Sequence, residues 1–108
     1  MATDTPTSVS AGVVNFATGS FTSDNTATTL TIGFVPRAIK VVNSTDTIVW
    51  EKIEGMAAAN CTKVTSTTLS VETSSDILIN TGVLTTGTVT LSQTLVGSSK
   101  AIAWAAWG

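Results

Sequence analysis

Arg37-Ala38-Ile39-Lys40-Val41-Val42-Asn43-Ser44-Thr45-Asp46-Thr47-Ile48-Val49-Trp50-Glu51-Lys52-Ile53 is the stretch that decides the fold. Its two flanks, residues 37–43 and 47–53, are rich in β-branched and aromatic side chains, which suit a pleated surface. Between them Asn43-Ser44-Thr45-Asp46 is built from residues whose short polar side chains bond nearby backbone and favour turns. Two strand-like runs around one turn tetrad predict a β-hairpin. A two-residue period of apolar and hydroxyl side chains recurs outside the hairpin. It is seen in Thr29-Leu30-Thr31-Ile32, Thr68-Leu69-Ser70-Val71 and Thr88-Val89-Thr90-Leu91, and this is the period of a half-buried strand.

Working outward, residues 13–16 form a first short strand candidate and Thr18-Gly19-Ser20 a turn. Residues 28–34 follow, with Leu30, Ile32 and Phe34 on one face, until Val35-Pro36 interrupts, because proline cannot donate to a ladder. Residues 54–60 break the pattern, and Met56-Ala57-Ala58-Ala59 has room for one helical turn. Further strands are expected at 64–72 and 76–80, separated by Thr73-Ser74-Ser75. Gly82 and Gly87 bracket a turn, residues 87–95 make a strand, Gly97-Ser98-Ser99 a turn, and 101–107 a final apolar strand. About eight short strands with frequent turns predict an all-β fold, an antiparallel β-sandwich or small barrel. Residues 1–12, polar and carrying Pro6, read as an extended N-terminal arm, and 13–108 as a single domain. The expected core is Ile32, Ile39, Val41, Ile48, Trp50, Leu69, Val71, Val89, Leu91, Ile102 and Trp104.

A chain of 108 residues matches the common size of one domain. Only 11% of it is charged, less than half the usual share of about 25%. Such a surface, with five basic residues and two prolines in all, guards its strand edges poorly. Part of it is therefore expected to be covered by other chains. Arg37, Lys40, Lys52, Lys63 and Lys100 are scattered and the net charge is −2, so the basic footprint of a nucleic-acid binder is missing. No apolar run has the length of a membrane span, and the first residues lack the pattern of a secretory signal. The single Cys61 cannot pair internally, which fits a reducing cytoplasm. Asn43-Ser44-Thr45 and Asn60-Cys61-Thr62 match the glycosylation acceptor tripeptide, a chance event in a chain about a third Thr and Ser.

Little in the inventory points to catalysis. The chain has no histidine, the usual group for proton transfer near neutral pH. Glu51 and Glu54 lie close in sequence, with Asp46 in the adjacent turn, but a continuing strand would point the two glutamates to opposite faces. Cys61 has no histidine to take its proton and reads as a buried thiol. Zinc lacks ligands of the required kind. Asp24, Asp46, Glu72 and Asp76 are too dispersed for a calcium loop, and no phosphate-binding glycine loop occurs. The expectation is a protein that is not an enzyme and takes no cofactor or metal. Trp50 and Trp104 read as core. Trp107 reads as a contact residue, since tryptophan is enriched at interface hot spots, with sugar stacking as the alternative.

From Gly33-Phe34-Val35-Pro36-Arg37-Ala38-Ile39-Lys40-Val41-Val42-Asn43 onward, the chain resembles small virion proteins of tailed bacteriophages. Ile48-Val49-Trp50-Glu51, Glu54-Gly55-Met56 and the closing Leu95-Val96-Gly97-Ser98-Ser99-Lys100-Ala101-Ile102-Ala103-Trp104 continue the likeness over residues 16–108. Cys61 and the longer segment 80–87 depart from it. The resemblance implies a capsid decoration (cement) protein, a β-sandwich or barrel bound repeatedly to the outside of the phage head. Its partner would be the major capsid protein, with a homo-oligomer, a trimer in first place, and no nucleic acid or membrane. It would be made in the host cytoplasm and end on the virion. The alternative is a tail, fibre or receptor-binding lectin-like module. Contact candidates are Thr3, Thr5 and Pro6 of the arm together with Phe34, Pro36, Arg37 and Trp107. Arg37 stands first among the polar ones because its fork can grip a carboxylate.

Overall fold

The computed structural model describes residues 15–82 and 87–108. The expected arm, with Thr3, Thr5 and Pro6, lies outside the described residues, as do residues 13 and 14 of the first strand candidate and residues 83–86. The fold is all-β, as the alternating pattern predicts. Among the described residues, nine strands form two antiparallel sheets with a sandwich-like arrangement, and neither sheet closes into a barrel. The larger sheet has the order β1-β9-β3-β4-β5-β6 and the smaller β2-β8-β7.

The decisive hairpin is β3 (Ala38–Asn43) and β4 (Ile48–Ile53), paired from Ala38↔Ile53 to Asn43↔Ile48. Its turn is tied from within. The Asp46 N–H donates to Asn43 Oδ1 at 3.0 Å, Asn43 Nδ2 donates to Asp46 Oδ2 at 3.1 Å, and Thr47 takes the left-handed conformation at φ 58°. Ile39 and Val41 on β3 and Trp50 on β4 point to the core, while Lys40 and Glu51 point away.

β9 (Ser98–Trp107) is the longest strand and sits between β1 (Phe16–Asp24) and β3. Thr18-Gly19-Ser20, expected as a turn, runs straight through β1 opposite residues 103–105. The glycine serves close approach instead of a bend. A Cβ at Gly19 would lie 2.7 Å from three atoms of the Trp104 indole, which crosses the strand there.

Elsewhere the strands are shorter than their patterns. β2 (Thr28–Thr31) stops before Ile32, where Gly33 at φ 94° turns the chain and both Ile32 and Gly33 N–H groups donate to the Gly87 carbonyl. The expected strand 64–72 is the end of one strand and the whole of another, β5 (Cys61–Val64) and β6 (Leu69–Glu72). Thr65 Oγ1 accepts from the Thr68 N–H and the Thr65 N–H donates to the Thr68 carbonyl, which folds the Thr-rich stretch into a hairpin turn. β7 (Ile77–Asn80) and β8 (Thr88–Leu91) follow. Beyond β8 the expected strand gives way to a single turn, α1 (Gln93–Val96), whose N-cap Ser92 accepts from the Leu95 N–H at 3.1 Å. Met56-Ala57-Ala58-Ala59 forms turns and no helix. Among the described residues no helix is long and apolar enough to cross a membrane.

The core lies between the sheets. Of the expected residues, Ile39, Val41, Trp50, Val89, Leu91 and Ile102 are buried, and Ile32, Ile48 and Trp104 pack partly buried against them. Leu30, Cys61, Ile77, Leu95, Val96 and Ala106 complete it. Leu69 and Val71 are corrections. They are 71% and 60% exposed, because the register Val64↔Leu69 and Thr62↔Val71 turns both to the outer face of the edge strand β6.

Candidate docking surface

The expected contact residues from 34 onward gather at one end of the molecule. The Arg37 N–H donates to the Trp107 carbonyl at 2.7 Å, and the Gly108 N–H donates to the Asn15 carbonyl at 2.9 Å. These bonds bring the start of β1, the end of β9 and the entry to β3 together. Phe34 folds back over the chain end, so close that a Cβ on Gly108 would lie 2.6 Å from its ring. The Phe16 and Trp107 rings stand 5.7 Å apart, tilted by 51°. Phe16 is 54% exposed and Trp107 38%, and exposed Ile53 lies in the same row across Ala38.

Two of the expected residues differ in role from expectation. Pro36 is buried and offers no surface; it sits in the bend that carries the chain from Phe34 into β3. The guanidinium of Arg37 is not unengaged, since its Nε lies 3.8 Å from Glu54 Oε2, and the Glu54 N–H donates to the Arg37 carbonyl. Both side chains are largely in water, so the pair contributes little stability and leaves charge on the rim of the aromatic cluster.

A second feature escaped sequence reasoning. In an antiparallel ladder, directly paired residues project to the same face. On the face of the large sheet turned from the core, pairing lines up Ser20, Ala103, Val42, Val49, Val64 and Leu69 in one row across all six strands. The adjacent row is Thr18, Ala105, Lys40, Glu51, Thr62 and Val71. Lys40 Nζ lies 3.8 Å from Glu51 Oε1, so the middle of this face carries one cation and one carboxylate in an apolar and hydroxyl field. The available signal was β9 itself. Ala101-Ile102-Ala103-Trp104-Ala105-Ala106-Trp107 has no polar residue in either phase, which is the pattern of a strand with two apolar faces.

The carboxylates do not form a pair. Glu51 faces Lys40 and Glu54 faces Arg37. Among the described residues, no three His, Cys, Asp or Glu side chains gather to hold a metal ion. Lys52 and Asp76, both buried, are tied into the fold by hydrogen bonds. Lys52 Nζ donates to the carbonyls of Ala57, Ala58 and Asn60 at 2.9, 3.1 and 2.6 Å, and burial pulls its pKa below the ordinary lysine value. Cys61 is buried, and loss of solvent, reinforced by the Asp76 carboxylate, pushes its thiol above the ordinary value. A thiol held protonated is a weak nucleophile. Buried Asp76 accepts from Ser92 Oγ at 2.6 Å and through its carbonyl from the Ser92 N–H, which fastens β7 to the cap of α1. Trp50 Nε1 finds no hydrogen-bond partner among the described residues, and Lys63 Nζ stands 5.4 Å from the centre of its ring.

The described residues form a small two-sheet antiparallel β protein that exposes several large apolar and aromatic side chains. Compared with protein families, curated proteins and solved structures, the chain matches none.

Proposed function

We propose that this chain is a non-catalytic structural protein of a tailed-bacteriophage particle, a decoration protein that binds the outside of the assembled head and stabilises it. The observation that carries the reading is the exposed aromatic pair of Phe16 and Trp107, at the end of the sheet that also carries exposed Ile53 and the Arg37–Glu54 ion pair. Exposed aromatics beside a paired charge are the composition of an interface hot spot. The sequence resemblance to phage virion proteins supplies the partner class, the major capsid protein, and the site of action, the virion surface after synthesis in the host cytoplasm.

Stabilisation in this reading is mass action. A protein that binds the closed shell and not its free subunits lowers the free energy of the shell alone. Each docked copy adds buried apolar area, and contacts to neighbouring subunits at once raise the avidity.

Purified protein mixed with undecorated capsids is expected to give ordered extra density in electron microscopy and a higher shell melting temperature. Trp107→Ser is expected to lower occupancy while the strand spectrum in circular dichroism is kept. Capsids that gain neither density nor stability would overturn the reading. Binding to a glycan array without affinity for capsids would transfer the same cluster to a receptor-binding module of a tail or fibre.

A further inference from the structure

We propose that the outer face of the six-stranded sheet is a self-complementary surface on which a second copy of this chain packs about a two-fold axis. The axis runs along the boundary between β3 and β4. The strand order β1-β9-β3-β4-β5-β6 places that boundary at the midline of the sheet, three strands to each side. A half-turn about it lays β3 over β4, β9 over β5 and β1 over β6 of the second copy. This is an isologous contact, the kind that closes as a dimer.

Three observations select a second copy as the occupant. The first is charge. Lys40 and Glu51 are directly paired across the midline, so the half-turn sets Lys40 over Glu51 of the second copy and Glu51 over its Lys40. Four alternating charges then meet at the centre, and none is left opposite its like. The second is shape. In the two central rows the outward residues of the β1–β9 half are small, Ser20, Thr18, Ala103 and Ala105, with Phe16 and Trp107 in the next row at the end of the face, and beside β3 lies a shallow depression of about 190 Å³ lined by Lys40, Val42, Ala103, Trp104 and Ala105. On the β5–β6 half they are larger and stand out: Val64, Leu69 and Val71 are exposed. The half-turn sets the small half against the large half, with Ala103 under Val64 and Ser20 under Leu69.

The third observation is area. Six strands about 4.8 Å apart and about 20 Å long present about 500 Å² per copy, so a pair covers about 1,000 Å². That is the threshold for a specific interface. Stacked sheets are offset by about 30° through their twist, an offset that displaces the midline pairs least. The dimer replaces the trimer expected from the sequence resemblance. It does not depend on capsid binding, and the aromatic end stays at its rim.

Sedimentation of the full chain from micromolar to millimolar concentration is expected to show a monomer–dimer equilibrium. Lys40→Glu puts carboxylates against carboxylates, and Glu51→Lys puts amines against amines. Each is expected to weaken the dimer by about tenfold or more. A one-to-one mixture of the two variants is expected to recover association, because one then carries two carboxylates at the midline and the other two amines, so these faces attract wherever they meet each other. Ala103→Gln, which fills the small half without adding charge, is expected to weaken the dimer as well. A wild-type monomer throughout the range, a trimer, a mixture of folded variants that fails to recover, or an unaltered Ala103→Gln dimer would each overturn the proposal. Capsid binding without dimerisation would refute this inference and spare the functional reading.

Discussion

Lys52 shows how a single side chain can hold a loop. Its stem passes through the core side of β4 and its ammonium meets the carbonyls of Ala57, Ala58 and Asn60. An ammonium has three protons to donate, and here each has an acceptor. Lys52→Met keeps the stem and deletes the donors, so it is expected to cost about 2 kcal/mol, read as a lower midpoint in urea. Gly19 is the converse case, a residue needed for what it lacks. Gly19→Ala pushes a methyl into the Trp104 indole and is expected to destabilise by about 2 kcal/mol, with a shift in tryptophan emission as the ring moves. Sequence reading took this glycine for a turn because glycine marks both bends and close approaches, and only the partner tells them apart.

Among the elements, those with strong local chemistry were the most legible. The β3–β4 hairpin was readable because β-branched runs and the Asn43–Asp46 turn agree, and the structure ties that turn through the same asparagine. Boundaries were lost where hydroxyl side chains act locally. Thr65 and Thr68 make a turn inside what reads as one alternating strand, and Ser92 caps α1 inside another. The same ambiguity misplaced Leu69 and Val71. Alternation says that two faces differ, and does not say which one meets the core. Leu69→Thr and Val71→Thr are therefore expected to change the stability of dilute protein by no more than about 0.5 kcal/mol, whereas Leu91→Ala on β8 is expected to cost about 3 kcal/mol. Chemical denaturation of the three variants side by side checks the assignment. Of the residues gathered at the aromatic end, Phe34, Arg37 and Trp107 are ones the sequence reading names. Phe16 and Ile53 are not, because their exposure depends on how distant chain segments meet.

At the scale of the whole molecule, the two faces of the large sheet do different work. The inner face carries the core, where the three-stranded sheet and α1 cover it. The outer face has the composition of an interface, with rows of alanine, valine and leucine about a single ion pair. The aromatic end lies where the two termini of the described fold meet.

The place of β9 has a consequence for how the polypeptide is born. It is the last of the nine strands to leave the ribosome, yet it lies between β1 and β3 and is the one sheet neighbour of β1 among the described residues. Until it arrives, the first strand has nothing to zip to, and the hairpin that follows waits with one flank bare. Such long-range closure makes for slow assembly. During translation, then, β3 to β6 can pair among themselves, while β1 joins the large sheet only once the ten residues of β9 are free.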